Sequence, residues 1–216
     1  MARPLLYKTR MKNTFQSALL VSALTIGGSA TVSAITITEG NIPQTDENIL
    51  FNEAGLAAGP ATEVQGISNN TDFIVNFSSG EQLTTPAQGQ ARIAGDFNDL
   101  DISLADATAS FRSLILNVNA DADGLIAFTV NYLIGNVFNS AQLALDATGE
   151  NYFTITADGG ERITSVSFDS TADVEDVRQV RIGGLGITTV GVPDGGATAA
   201  LLGLGILSLT ALRRKM

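Results

Sequence analysis

The sequence predicts an all-β protein, an antiparallel β-sandwich of jelly-roll type, and three observations carry that expectation. Apolar and polar residues alternate with a period of two along most of residues 35–185, as in half-buried strands. Gly, Asn and Asp interrupt these runs often enough to give roughly ten short strands at sandwich spacing. No stretch of this body repeats its apolar residues at helical spacing.

In chain order, the first candidate strands are Asn48–Phe51 and Thr62–Ile67. The polar, Gly/Ala-rich stretch Thr38 to Pro60 around the first of them is expected to be a loose docking arm. Phe73, Val75 and Phe77 alternate with Ile74 and Asn76 until Ser79-Gly80 breaks the run. Gln90–Ala94, Leu100–Leu104 and Phe111–Val118 follow. Ile126, Phe128, Val130 and Tyr132 then give one strongly apolar face, and Gln142–Leu145 comes next. Phe153 and Ile155 alternate with threonines, Asp158-Gly159-Gly160 turns the chain, and Val166 and Phe168 continue in a partner strand. Asp-Gly between alternating runs is a hairpin signal, because both residues tolerate positive φ. Val177–Ile182 closes the body, and Gly183 to Gly191 is Gly/Thr-rich, with 186–191 expected as a linker.

Charge is distributed unevenly. Seven of the 12 basic residues lie at the two chain ends, whereas 21 of the 22 acids lie in the 158 residues from Ile35 to Val192. Five arginines remain there, no lysine, and a net charge of −16. Nucleic acid and anionic lipid are poor partners for such a body; cations and neutral glycans are not excluded. Without His or Cys there is no Ser-His-Asp triad, no Cys-His dyad, no thiolate zinc site and no disulfide framework. Without lysine in the body there is no Schiff base. A paired-carboxylate glycosidase survives this exclusion, but the body lacks tryptophan and holds only Tyr132 and Tyr152 beside phenylalanine for stacking on sugars. The reading is therefore non-enzymatic.

The C-terminus carries the most specific signal. Val192-Pro193-Asp194-Gly195-Gly196 precedes an almost wholly apolar stretch, Ala197 to Leu212, and then Arg213-Arg214-Lys215-Met216. As a helix, residues 197–212 span roughly 24 Å at about 1.5 Å per residue, short of the ~30 Å hydrocarbon core, and the stems of Arg213 and Arg214 cover part of the difference. The basic stop Arg213, Arg214 and Lys215 keeps the end in the cytoplasm and puts everything before Val192 outside. Motif, apolar helix and basic end together resemble the PEP-CTERM sorting signal. Pro193 and Asp194 agree with that family's proline and acidic residue, and Gly195 departs from its second proline as in Val-Pro-Asp variants. The resemblance implies recognition and cleavage near the motif by an exosortase, in bacteria that make extracellular polysaccharide. It also implies transient anchoring in the inner membrane before delivery to the outer surface or matrix.

The N-terminus agrees with export. Residues 1–34 hold Arg3, Lys8, Arg10 and Lys12, no acid, an apolar run from Ala18 to Ile26, and the small residues Val32-Ser33-Ala34. This is the pattern of a secretory signal peptide cleaved after Ala34, which requires a translocon and signal peptidase. Met11 is the more usual kind of start, so residues 1–10 are a candidate extension.

Candidate chemistry in the body is sparse. Asn119-x-Asp121-x-Asp123-Gly124 reproduces the first half of an EF-hand loop, but Val130 stands where the bidentate Glu belongs. Alternate residues of an extended chain share a side, so Asn119, Asp121 and Asp123 remain a candidate calcium set. A polar hairpin tip accounts for the same residues without metal. Asp96, Asp99, Asp101 and Asp106 form a second acidic patch, read as solvated loop acids, and Arg178 and Arg181 are expected to pair with body acids. Asn69-Asn70-Thr71 and Asn76-Phe77-Ser78 match the glycosylation pattern and are read as incidental. The favoured role is a structural or adhesive protein of the cell surface or matrix. The alternative is a module that binds matrix polysaccharide, with or without calcium.

Overall fold

The computed structural model describes residues 35–86, 91–133 and 136–187, and it is all-β and antiparallel throughout. Ala34, the signal peptide, the sorting motif and the 197–212 helix lie outside the described residues. The strands are β1 (Ile35–Glu39), β2 (Asp46–Leu50), β3 (Ala61–Ser68), β4 (Ile74–Thr84), β5 (Arg92–Leu104), β6 (Ala109–Ser110) and β7 (Ser113–Ala120). They continue with β8 (Gly124–Tyr132), β9 (Asn136–Asn139), β10 (Leu143–Leu145), β11 (Asn151–Ala157), β12 (Ile163–Gly183) and β13 (Gly186–Ile187).

β12 organises the fold. Its first half, Ile163 to Ser170, pairs with β8 on one side and β5 on the other. After a register break between Asp169 and Val174, its second half pairs with β7 in place of β8. One layer therefore runs β1-β11-β7-β12, and the other runs from β8, with β9 and β10 beside it, through β12 to β5, β4, β3 and β2. β2 then returns to the end of β12, where Arg181 to Gly183 pair with Asp46 to Asn48.

The alternation seen in sequence is what fills the space between the layers. Ile126, Phe128 and Val130 of β8, Phe153 and Ile155 of β11 and Val166 and Phe168 of β12 are all buried in one core. The Phe128 ring lies 5.0 Å from Phe153 in the opposite layer and 5.9 Å from Phe168 on the neighbouring strand, both edge-on as aromatic quadrupoles favour. Phe51 and Phe77, 5.5 Å apart, extend the core towards β2 and β4.

Four local expectations are corrected. First, Val166–Phe168 and Val177–Ile182 belong to one 21-residue strand, since nothing from Ile163 to Ile182 is Gly or Pro and the break at 170–173 is a bulge. Arg92 to Ala94, from the Gln90–Ala94 candidate, and Leu100–Leu104 likewise fall on one strand, β5, while Gln90 lies outside the described residues. Second, the two Asp-Gly turns are not hairpins. β7 is already flanked by β11 and β12, so β7 to β8 and β11 to β12 are corners that carry the chain between layers. Gly159 and Gly160 supply the positive φ, 64° and 91°, that the second corner requires.

Third, Thr38 to Pro60 is not a loose arm. β1 pairs with β11, β2 pairs with β12 and β3, and Ile49 and Phe51 are buried. Between β1 and β2, residues 40–45 form a strap across the outer face of the first layer. Gly40 donates to the Tyr152 carbonyl (2.7 Å), Ile42 donates to Thr154 Oγ1 (3.0 Å), and Thr154 Oγ1 donates to the Gly40 carbonyl (2.7 Å). Ile115 faces this strap instead of the core and is nonetheless fully buried. Short polar residues with backbone bonds to a sheet look like loop in sequence, which is why the strap was not legible. Fourth, the fold continues past residue 185. Gly186–Ile187 pairs with β6, and Arg162 ties the two together by donating to Ser110 Oγ (2.6 Å), the Ser110 carbonyl (2.7 Å) and the Gly184 carbonyl (2.6 Å). Burial, with Arg112 nearby, lowers the pKa of Arg162.

Candidate functional site

The three members of the candidate calcium set have separate partners. Asn119, next to the end of β7, donates its amide to Glu175 (2.9 Å), Asp123 accepts the Ala147 N–H (3.0 Å), and Asp121 is exposed with its backbone bonded to Asp173. Among the described residues no three acidic side chains gather as a metal would require. At the corner between β7 and β8 the Asp123 carboxylate takes a backbone donor, the Ala147 N–H. We therefore expect millimolar calcium and magnesium, at equal ionic strength, to raise the melting temperature alike by screening a body of net charge −16. A larger shift with calcium, lost in Asp121→Asn with Asp123→Asn, would restore the metal site.

The second acidic patch also disperses. Asp99 accepts from Ser79 Oγ (3.1 Å) and from the Gly80 N–H (3.2 Å). Asp106 is held below the usual carboxylate range by bonds from the Thr108 hydroxyl (2.7 Å) and N–H (2.8 Å). Asp101, half-buried on β5, is pushed up by desolvation against a smaller opposing bond from Ser103.

The side chains that do converge lie on the outer face of the first layer. One rung across four strands reads Arg92, Arg178, Asn117, Tyr152. Two arginines directly opposite each other repel, and Asp176 offsets this. Its buried carboxylate takes Arg178 bidentately, Nε to Oδ1 at 2.7 Å and Nη2 to Oδ2 at 2.9 Å, and Arg92 Nη1 at 3.4 Å. The bonds that Arg178 donates to Asp176 are the main reason its pKa is raised. Arg92 Nε is buried and has no hydrogen-bond partner among the described residues.

Beyond this rung the ladder breaks. Between Arg178 and Arg181 β12 advances three residues, while β7 advances only two, from Asn117 to Ile115. The extra residue makes a bulge, and Gln179 occupies it at φ 54°, a left-handed conformation that costs a non-glycine residue about 1–2 kcal/mol. Its Oε1 accepts the Tyr152 hydroxyl at 2.5 Å. On the other side of β12, β5 has ended at Arg92 and β2 begins only at Asp46 to Asn48. The gap is a groove of about 530 Å³ whose described lining is Asn41, Asn48, Gln179 and Arg181 on the polar side and Ile49, Leu50, Val180 and Ala91 on the apolar side. Arg181 is fixed there by a bond to Asn41 of the strap and by Asp46 at 3.7 Å.

Sequence reasoning placed Arg178 and Arg181 with acidic partners, and the structure names them as Asp176 and Asp46. It did not find Gln179, Asn41 or Asn48. A bulge leaves no periodic trace when the inserted residue is polar and the flanking residues alternate correctly on each side.

Residues 191–216 match the model of the VPDSG-CTERM motif, with Gly195 at the motif's serine position. The match covers the sorting tail alone and supports an exported, surface-directed protein with a PEP-CTERM-like tag. No curated protein matches the chain. Among solved structures, a family 29 carbohydrate-binding module from Piromyces equi is 10% identical at a TM-score of 0.33, over 69% of this chain and 90% of that one. A mutant of the module CBM29-2, made to probe ligand recognition in that family, is 12% identical at 0.29, over 71% and 92%. Likeness at that level assigns neither ligand nor site.

Proposed function

We propose that the chain is an exported structural or adhesive protein of the cell surface or extracellular matrix, sorted by an exosortase. The observation that carries this is the tail, in which a Val-Pro-Asp motif, an apolar stretch and a basic stop follow one another in order and match a sorting-motif model. The translocon and signal peptidase act first, after Ala34. The tail then holds the protein in the inner membrane until an exosortase releases it near Val192 to Gly196. Proline and glycine both have low helix propensity, so Pro193 and the two glycines suit the extended substrate that a protease grips. The body carries no His, Cys or Lys, which favours a non-catalytic role.

Intact mass of the surface-delivered protein tests this. The mature chain is expected to begin at Ile35 and to lack Arg213 to Met216. Pro193→Ala with Asp194→Ala is expected to leave the chain unprocessed in the inner membrane. A surface protein that retains Met216 would replace the exosortase reading with a plain membrane anchor.

A second reading, recognition of matrix polysaccharide, is favoured by one observation. The groove at the β12 bulge is lined by planar amide and guanidinium groups that present donors and acceptors side by side.

A further inference from the structure

We infer that the groove at the Gln179 bulge binds a neutral polysaccharide chain, an inference that rests on the glycan-recognition reading and gives it a place and a ligand class.

The backbone comes first. Glycine takes a φ of 54° without strain, yet this position carries glutamine. With Oε1 engaged by the Tyr152 hydroxyl, the amide nitrogen has no bond among the described residues, and the side chain lines the groove. The Tyr152 bond occupies one end of this amide, and the other end is left at the groove for a ligand, so the strained position presents a donor there that glycine would lack. A bulge is a device for re-aiming one residue out of a ladder.

The lining decides the ligand class. Amides and a guanidinium offer paired donors and acceptors in one plane, which suits adjacent hydroxyls on a sugar ring. Leu50, exposed at the groove, and Ile49 beneath offer apolar surface to the C–H face of such a ring. A volume of about 530 Å³ falls within the range of about 300–1,000 Å³ typical of ligand clefts.

Electrostatics then separates neutral from acidic chains. Among the described lining residues Arg181 is the charged one, and Asp46 balances it at 3.7 Å. The surrounding body holds −16, so its net field opposes the approach of a polyanion. A hydroxylated, uncharged polymer meets no such opposition.

Titration calorimetry on the full chain in detergent micelles tests this, with dextran, galactomannan and xyloglucan as neutral probes and alginate as the polyanion. Binding to at least one neutral polymer and none to alginate is the expected result. Gln179→Gly suits the local backbone, and Asn48→Ala changes an exposed side chain. Each is expected to weaken neutral binding at least tenfold while still unfolding cooperatively with the parent's far-UV spectrum, and Asn139→Ala on β9 is expected to leave binding intact. Neutral binding that survives both groove variants would overturn the site and leave glycan recognition standing. No binding to any neutral probe would sink both, and a preference for alginate would overturn the ligand class.

Discussion

Phe128→Ala is expected to lower the stability of residues 35–187 by about 3–5 kcal/mol, the usual cost of emptying a buried aromatic site. The size of the effect follows from where the ring sits. Phe128 is on β8 in one layer, and it meets Phe153 of β11 in the other at 5.0 Å and Phe168 of β12 at 5.9 Å. Truncation removes both edge-on ring contacts and leaves a cavity that two layers tied together by β12 cannot collapse to fill. Urea denaturation followed by far-UV circular dichroism reads the loss as a lower midpoint at unchanged slope. Phe138→Ala, on edge strand β9 and only partly buried, is expected to cost clearly less. Equal losses from the two variants would mean that the rings do not form the centre of one core.

Much of this core was legible because the signal is local. In a strand, period-two alternation states which residues face inward, so Phe128, Val130, Phe153 and Phe168 could be assigned without knowing which strands pair. Pairing is not local. The Asp-Gly corners at 121–124 and 158–160 have the residues of hairpin turns. What makes them corners is that β7 is flanked by β11 and β12, strands distant in sequence. The strap failed to show for a related reason, since residues 40–45 gain order from Thr154, Tyr152 and Arg181, more than a hundred residues away. The candidate site divides in the same way. The sorting tail is a linear motif, and its likeness to a sorting signal could be read without the fold. The groove is created by one extra residue on β12 and by the ends of β5 and β2, none of which shares a neighbourhood in sequence.

Asp176→Asn tests the ion network that leads into this groove, and a loss of about 2–3 kcal/mol is expected. Removing one partner of a buried pair typically costs about 3–5 kcal/mol, because the remaining charge is left without compensation. Here the remaining charges are Arg178 and Arg92, whose side chains are 28% and 41% exposed, so water takes up part of the penalty and the figure is discounted. What water does not remove is the pairing register. Arg92 and Arg178 stay directly opposite on adjacent strands, and without the carboxylate they repel. Salt is therefore expected to restore part of the loss in Asp176→Asn and to do little for the parent. Asp176→Leu with Arg178→Met removes both the buried acid and its bidentate partner, and frees Arg92 to turn to solvent. That double variant is expected to be more stable than Asp176→Asn, since an apolar replacement of similar volume avoids desolvating charge altogether. If the double variant were the less stable of the two, the ion pair would be supplying net stability beyond its own desolvation cost. Asp176 would then be holding β12 in the register from which Gln179 is displaced, and the groove is expected to lose its shape along with the pair.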